Sequence, residues 1–152
     1  MPRRSLLTPA ERIGLLSFPT TDDELVRHYT LSESDLSVIR QRRSNHNRLG
    51  FALQLCYLHY PGFALPTDAE PPASLLDFVN RQLRIEPAIW PRYAQRQETR
   101  REHLLELQAW LNLTPFAVAD YRRFVDQLAG LAQQTDRGIV LAEALVELLR
   151  QQ

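Results

Sequence analysis

Arginine supplies every basic side chain of this sequence except histidine, and the spacing of the arginines is its most chemically informative feature. The chain has 18 basic residues, none of them lysine. Many of them fall into two clusters, Arg40, Arg42, Arg43 and Arg48 in the first and Arg92, Arg96, Arg100 and Arg101 in the second. A guanidinium group offers a planar fork of N–H donors that matches phosphate oxygens and the edge of guanine. The clusters therefore indicate a surface that binds anions, with nucleic acid as the leading candidate.

The charge of the chain is segregated, although its formal net charge is zero. No acidic residue occurs between Leu36 and Pro61, which contains the whole first cluster. Segregated charge creates a local positive field that the neutral average hides. A preference for arginine over lysine can also follow from GC-rich codons, but codon usage does not explain the clustering.

The residue types needed for catalysis or metal binding are not arranged for either. The four histidines, His28, His46, His59 and His103, show no helical metal-binding spacing. The single cysteine, Cys56, lies in an apolar run and is predicted to be a buried thiol. Carboxylates such as Glu102 and Glu106 share a helix face that is expected to be solvated. We therefore expect no enzymatic activity and no cofactor in this chain.

The composition favours a cytoplasmic protein that does not enter a membrane. No apolar run approaches the ~20 residues that a membrane span needs. The first residues lack the apolar segment of a signal peptide. A single cysteine provides no disulfide framework, which suits a reducing compartment.

Helix-start signals recur along the chain and predict an all-α fold of seven to eight helices without a sheet. Thr8-Pro9-Ala10-Glu11 reads as a capping box, and Thr21 and Ser32 read as further N-caps. The first helix is expected to run to about Leu16. A helix over about 48–59 is apolar on nearly every face and is predicted to be the buried centre of the domain.

The remaining helices are predicted at about 73–85, 87–93, 95–111, 114–134 and 138–150. Thr114-Pro115 is the expected start of the fourth of these. We expect one domain over 1–152, with a division into 1–62 and 73–152 at the proline-rich loop 63–72 as the alternative. The last helix is more apolar than a terminal surface helix needs, which suggests a piece of a longer protein.

The first arginine cluster has helix-turn-helix proportions. A helix near 33–42 is followed by a predicted turn at Ser44-Asn45-His46-Asn47 and by the helix that starts at Arg48. The start of the second helix meets the major groove in such motifs, but this one is too apolar to lie in a groove along its length. We expect phosphate contacts from Arg40, Arg42 and Arg43. Limited base reading is expected from the turn and the first helical residue, namely Asn45, His46, Asn47 and Arg48.

The second cluster lies at the start of the helix over 95–111. Its leucine stripe, continued toward the amino end, reaches Arg100, where an isolated fold would favour leucine. One interpretation is that this half projects toward an external anion, with phosphate and base contacts from Arg96, Gln97, Thr99, Arg100 and Arg101. The alternative is that Glu98 neutralises Arg101 and that Arg100 is buried against carboxylates of a neighbouring helix.

Several strings of the sequence resemble the start of the large transposases of the Tn-three family of replicative transposons. They are Met1-Pro-Arg-Arg-Ser-Leu-Leu-Thr, Glu24-Leu-Val-Arg-His-Tyr-Thr-Leu-Ser-Glu-Ser-Asp-Leu, Ile39-Arg-Gln-Arg-Arg, Arg48-Leu-Gly-Phe-Ala-Leu-Gln-Leu-Cys-Tyr-Leu, Tyr60-Pro-Gly, Thr99-Arg-Arg-Glu-His and Gln134-Thr-Asp-Arg-Gly-Ile-Val-Leu. They occur in order and cover essentially the whole chain.

The resemblance implies an amino-terminal, all-helical DNA-binding region of a much longer protein. Its first expected partner is double-stranded DNA, namely the terminal inverted repeats of the transposon, on the bacterial nucleoid. The other expected partners are the remaining transposase domains and, through the full-length protein, a second copy in a homodimer. The family's catalytic acidic residues, which hold Mg²⁺, would lie downstream of this chain. The other interpretation that stays open is a helical interaction module that docks transposase domains or subunits without reading DNA.

Overall fold

A computed structural model describes residues 5–15 and 17–151. Over these residues the chain is all-helical and has no β-strand, as predicted. The described residues form nine α-helices, one or two more than the predicted number: α1 Pro9–Leu15, α2 Asp22–Tyr29, α3 Glu33–Arg40, α4 Asn45–His59, α5 Ala73–Leu83, α6 Trp90–Ala94, α7 Gln97–Trp110, α8 Val118–Ala132 and α9 Gly138–Arg150. A single 3₁₀ turn, Pro87–Ile89, precedes α6.

The predicted caps of the first helices are confirmed. The Thr8 N–H donates to Glu11 Oε2 at 2.7 Å, and the Glu11 N–H donates to Thr8 Oγ1 at 3.2 Å. Reciprocal bonds of the same kind open α2 at Thr21 and α3 at Ser32. The expected end of the first helix at Leu16 lies outside the described residues.

Two predicted helix starts are wrong, and in both places a side-chain cap decides the true start. Ser44 accepts from the Asn47 N–H at 3.4 Å, so α4 begins at Asn45 and the turn before it is Gln41–Ser44. The Asp120 carboxylate accepts from the Ala117 N–H at 2.9 Å, so α8 begins at Val118. Thr114-Pro115 therefore precedes the helix instead of opening it.

The chain divides into two compact units, one of residues 18–112 and one of residues 1–17 with 113–152. In the first unit, α4 is the buried centre, as predicted, and it contacts α2, α3, α5, α6 and α7. Every residue from Leu49 to Tyr57 is buried. The proline-rich loop 63–72, suggested by the sequence as a linker, lies inside this unit. In the other unit, α9 contacts both α1 and α8.

A buried polar network joins α6 and α7 to the middle of α4. The Gln54 amide donates to the Tyr93 hydroxyl and, at 3.0 Å, to the Arg100 carbonyl. The Tyr93 hydroxyl also lies 3.1 Å from His103 Nδ1. Burial raises the pKa of Tyr93 to about 12, so the phenol keeps its proton and remains available for these hydrogen bonds. The network fixes the position of the helices that carry the second arginine cluster.

No helix in the described part of the chain is long and apolar enough to cross a membrane.

Candidate nucleic-acid interface

The first turn of α4, Asn45–Arg48, lies outside the fully buried middle of the helix. Ser44 Oγ caps this turn and lies 3.2 Å from His46 Nε2. Asn45 is exposed, whereas His46, Asn47 and Arg48 are half-buried. The start of a helix has unsatisfied N–H groups and the positive end of the helix dipole. This turn therefore favours a nearby anion even before the arginines are considered.

Arg48 fixes the connection between α3 and α4. Its Nε donates to the Arg42 carbonyl at 2.9 Å, and its Nη2 donates to the Arg40 carbonyl at 3.4 Å. These bonds satisfy carbonyl groups at the end of α3 that have no helical partner. The guanidinium group of Arg48 is thereby held in one place beside the first turn of α4.

Arg42 is engaged within the unit, which corrects the expectation that it faces an external phosphate. Its Nη1 lies 2.7 Å from Glu106 Oε2, and its side chain is only 17% exposed. The guanidinium carbon also lies 4.7 Å from the centre of the Phe51 ring. Arg40 and Arg43 are exposed. They are therefore the solvent-facing arginines of the first cluster.

Most of the second cluster is exposed, as the sequence led us to expect. Arg92, Arg96, Gln97 and Arg101 are exposed, and Thr99 is half-buried. Within the described residues, no ion pair neutralises any of these three arginines, and the alternative pairing of Arg101 with Glu98 is not formed. Their charge is therefore available to an external anion.

Arg100 is not part of the exposed surface, so that expectation is wrong. The residue is 6% exposed. Its Nη1 donates to the Ala94 carbonyl at 3.2 Å, and its Nη2 donates to the Pro66 carbonyl at 2.8 Å. Arg100 continues the inward stripe of α7, as the leucine spacing implied, but carbonyl oxygens rather than carboxylates satisfy its donors. Reaching a base would require the side chain to leave these partners.

The helices that carry the two arginine clusters pack together, because α4 contacts α3, α6 and α7. Partial burial, followed by the positive charges of Arg96 and Arg92, holds the pKa of His46 below its usual value. The side chains of α6 and the start of α7 are therefore within electrostatic reach of the turn that Arg48 braces. The charges are about 50 residues apart in the sequence, and no local pattern signals their proximity.

A groove beside this turn adds an arginine that the sequence interpretation did not include. The groove has a volume of about 440 Å³ and lies among α3, the start of α4 and the end of α5. Its polar lining consists of Arg40, Asn45, Arg48, Gln82 and Arg84. Arg84 belongs to neither of the two sequence clusters, so only the fold brings it to Arg40 and Arg48.

The described residues contain no group of three or more His, Cys, Asp or Glu side chains that could hold a metal ion. Cys56 is buried, and burial raises the pKa of its thiol. A buried thiol of this kind is held in its neutral form.

The chain belongs to the family described as "Domain of unknown function (DUF4158)", whose model matches residues 6–152. The resemblance to Tn-three family transposases is also confirmed. The chain is 52% identical over 151 residues to the transposase for transposon Tn501 of Pseudomonas aeruginosa, with 99% of the chain and 15% of that relative covered. It is 56% identical over 152 residues to the transposase for transposon Tn3926 of Escherichia coli, again with 15% of the relative covered.

A more distant relative is the transposase for transposon Tn1546 of Enterococcus faecium, 32% identical over 147 residues, or 97% of the chain. In each of these comparisons the chain spans 15% of the relative's length. The similarity is thus to one part of a much longer protein.

Proposed function

We propose that this chain is the DNA-binding module of a Tn-three family transposase and that it recognises the terminal inverted repeats of the transposon. The observation that supports this most directly is that four exposed arginines without an ion pair among the described residues lie on or beside helices that pack against α4, namely Arg40, Arg43, Arg92 and Arg96. Phosphate oxygens are the anions that such a surface fits best, because each exposed guanidinium can donate two hydrogen bonds to one phosphate. The module would work in the bacterial cytoplasm, on DNA of the nucleoid.

Within this surface, the exposed arginines provide affinity and the polar side chains between them provide selectivity. Arg40, Arg43, Arg92 and Arg96 would contact phosphates, which fix register without reading sequence. Gln97 and Arg101 are exposed at the start of α7 and can reach base edges, with Asn45 as a further contact from α4. Arg42 and Arg100 are left out because both side chains are largely buried and bonded inside the unit, Arg42 to Glu106 and Arg100 to the Ala94 and Pro66 carbonyls.

The direct test measures affinity against salt concentration. The chain is titrated into a duplex carrying the inverted repeat of Tn3926 and into a scrambled duplex, at several concentrations between about 50 and 200 mM salt. We expect tighter binding to the transposon end and a steep loss of affinity with salt for both duplexes. The Arg40→Ala, Arg43→Ala double variant should reduce the magnitude of the log–log salt slope by ~1.8, or ~0.9 per phosphate contact.

Arg27→Ala serves as the matched control, because Arg27 is an exposed arginine of the same unit that lies on α2. It should leave affinity and slope close to those of the wild type. If the double variant has the same affinity and slope as the wild type, these two arginines do not contact DNA. If the wild-type chain binds neither duplex at low salt, the proposed function itself is wrong.

A second candidate function rests on the unit formed by residues 1–17 and 113–152. An apolar groove of about 490 Å³ between α8 and α9 is lined by aromatic and aliphatic side chains alone: Phe116, Tyr121, Phe124, Val125, Leu128, Leu145 and Leu149. Several of these side chains are exposed, which is unusual for a surface without a partner. The groove would dock another transposase domain or the second subunit of a homodimer.

The two functions can be distinguished in two ways. DNA binding should depend steeply on salt concentration, whereas docking through an apolar groove should not, and each function should respond to a different variant. Val125→Glu places a charge in the apolar groove and should weaken association with the rest of the transposase, measured by sedimentation, without changing DNA affinity. Retained association of this variant would argue against the docking function. Strand cleavage and the Mg²⁺ it would use are proposed to belong to the part of the longer protein that this chain does not cover.

A further inference from the structure

The groove beside the first turn of α4 is cationic and lacks an internal counterion. Three guanidinium groups line it, those of Arg40, Arg48 and Arg84, and no carboxylate does. The other lining side chains are polar amides or apolar. Neither Arg40 nor Arg84 forms an ion pair within the described residues. Like charges placed together repel, so this groove is more stable when an anion occupies it.

Two walls of the groove are fixed by hydrogen bonds that do not depend on any ligand. Arg48 is held by the carbonyl groups of Arg42 and Arg40. Gln82 donates to the Tyr29 carbonyl at 2.9 Å and accepts from the Leu31 N–H at 2.8 Å. The groove is therefore largely pre-formed, which lowers the entropic cost of binding.

Arg84 occupies a backbone position where glycine would be the ordinary residue. It ends α5 with φ 55° and ψ 47°, in the left-handed region. Helices commonly end in this conformation, but usually with glycine, because a side chain there is strained. A cation at a helix carboxyl end also interacts favourably with the helix dipole. The dipole favours a basic residue here, but it does not account for a groove with two other arginines and no acid.

We propose that this groove binds a backbone phosphate of DNA and that Arg84, at the end of α5, is a contact residue of the interface. This inference rests on the proposed function and adds Arg84, from the end of α5, to the arginines of the two sequence clusters. Arg48 would act as the fixed donor, while the exposed Arg40 and Arg84 close on the phosphate. The contact is to the backbone, so it contributes equally to every DNA sequence.

Arg84→Gly tests the proposal without confounding it by unfolding. Glycine accepts the left-handed conformation more readily, so the melting temperature should equal or exceed that of the wild type. Affinity for a scrambled duplex at low salt should fall roughly tenfold. The magnitude of the salt slope should fall by ~0.9. Arg84→Lys keeps the charge and should restore most of the slope.

Asn112→Gly is the matched control, because Asn112 is the other described non-glycine residue with positive φ, also 55°. It should raise or preserve the melting temperature and leave DNA affinity unchanged. If Arg84→Gly binds as the wild type while the Arg40→Ala, Arg43→Ala variant is weakened, the groove inference is wrong and the proposed function stands. Absence of DNA binding by the wild-type chain would instead remove both.

Discussion

Arg100 illustrates how an arginine in a basic cluster can be a structural residue. Its guanidinium group is buried between α7, the end of α6 and the loop at Pro66. Arg100→Ala leaves the carbonyl groups of Ala94 and Pro66 without this donor, which should lower the free energy of unfolding by about 1–3 kcal/mol. The measurement is chemical denaturation, combined with DNA affinity for end and scrambled duplexes.

The neighbouring Arg101 is the matched control for that prediction, because it is exposed and has no ion-pair partner among the described residues. Arg101→Ala should leave stability within about 0.5 kcal/mol of the wild type and reduce the preference for the transposon end. Arg100→Ala should lower the stability, and the protein that remains folded should keep its preference for the transposon end. A loss of end preference in Arg100→Ala at unchanged stability would show that the buried assignment is wrong.

Gly50 lies at a close approach between α4 and α6. A Cβ atom added there would lie 2.2 Å from the ring of Tyr93, which is itself held by Gln54 and His103. Gly50→Ala should therefore destabilise the 18–112 unit, by about 1–3 kcal/mol. Gly130→Ala, on α8, meets nothing within 4 Å and should stabilise its helix by about 1 kcal/mol. In thermal denaturation the melting temperature should fall for Gly50→Ala and rise for Gly130→Ala. A Gly50→Ala variant that melts at the wild-type temperature would contradict the prediction.

At the scale of elements, side-chain caps account for the starts of α1 to α4 and of α8, including the two starts that the sequence did not predict. Thr8, Thr21 and Ser32 each pair with an acid three residues later, and all three starts were predicted correctly. Ser44 lacks such a partner, so its cap was not recognised and α4 was expected to start three residues late. Thr114-Pro115 is a typical helix-start signal, but α8 begins later, at Val118, where the Asp120 carboxylate accepts from the Ala117 N–H. Two acceptable caps in one segment cannot be ranked without knowing the tertiary contacts.

The packing of α7 against α4 places a histidine where acid should destabilise the fold. Burial, with the charge of Arg42, lowers the pKa of His103 to about 4, against the opposing effect of Glu106. In the unfolded chain its pKa is about 6.5. Between these values the unfolded state binds more protons, so stability is complete above about pH 6.5 and falls as the pH drops toward 4.

His103→Gln removes this titration and should flatten the stability profile in that pH window, although the variant is less stable at neutral pH because Tyr93 loses a partner. The check is a series of denaturation curves between pH 7 and 4 for both proteins. The exposed Glu11 and Glu24, whose pKa values are lowered by hydrogen bonds to their caps, are the same in both proteins and so do not contribute to the difference between the two profiles. Parallel profiles for wild type and variant would contradict the prediction.

At the scale of the whole molecule, the composition of the interface could be predicted better than its arrangement. The exposed arginines of both clusters follow from spacing and segregated charge. The packing of the helices that carry the two clusters does not, because it depends on how α6 and α7 contact α4. Arg84 could not have been included from the sequence, since it has no arginine closer than Arg81 and reaches the groove only through the end of α5.

The last prediction concerns His46, which the fold places among the arginines of the proposed interface. In the free protein, burial and the charges of Arg96 and Arg92 keep the pKa of His46 low. Bound phosphates would offset those charges, so the pKa should rise on binding and the complex should take up a proton. DNA affinity should then increase as the pH falls from about 7.5 to 6, near the ordinary histidine pKa.

The check is to measure DNA affinity across this pH range and to measure proton uptake by calorimetry in two buffers of different ionisation enthalpy. His46→Gln should lose this extra pH dependence, whereas His59→Gln, exposed at the other end of α4, should keep it. An unchanged pH dependence in His46→Gln would mean that the phosphates do not approach the first turn of α4.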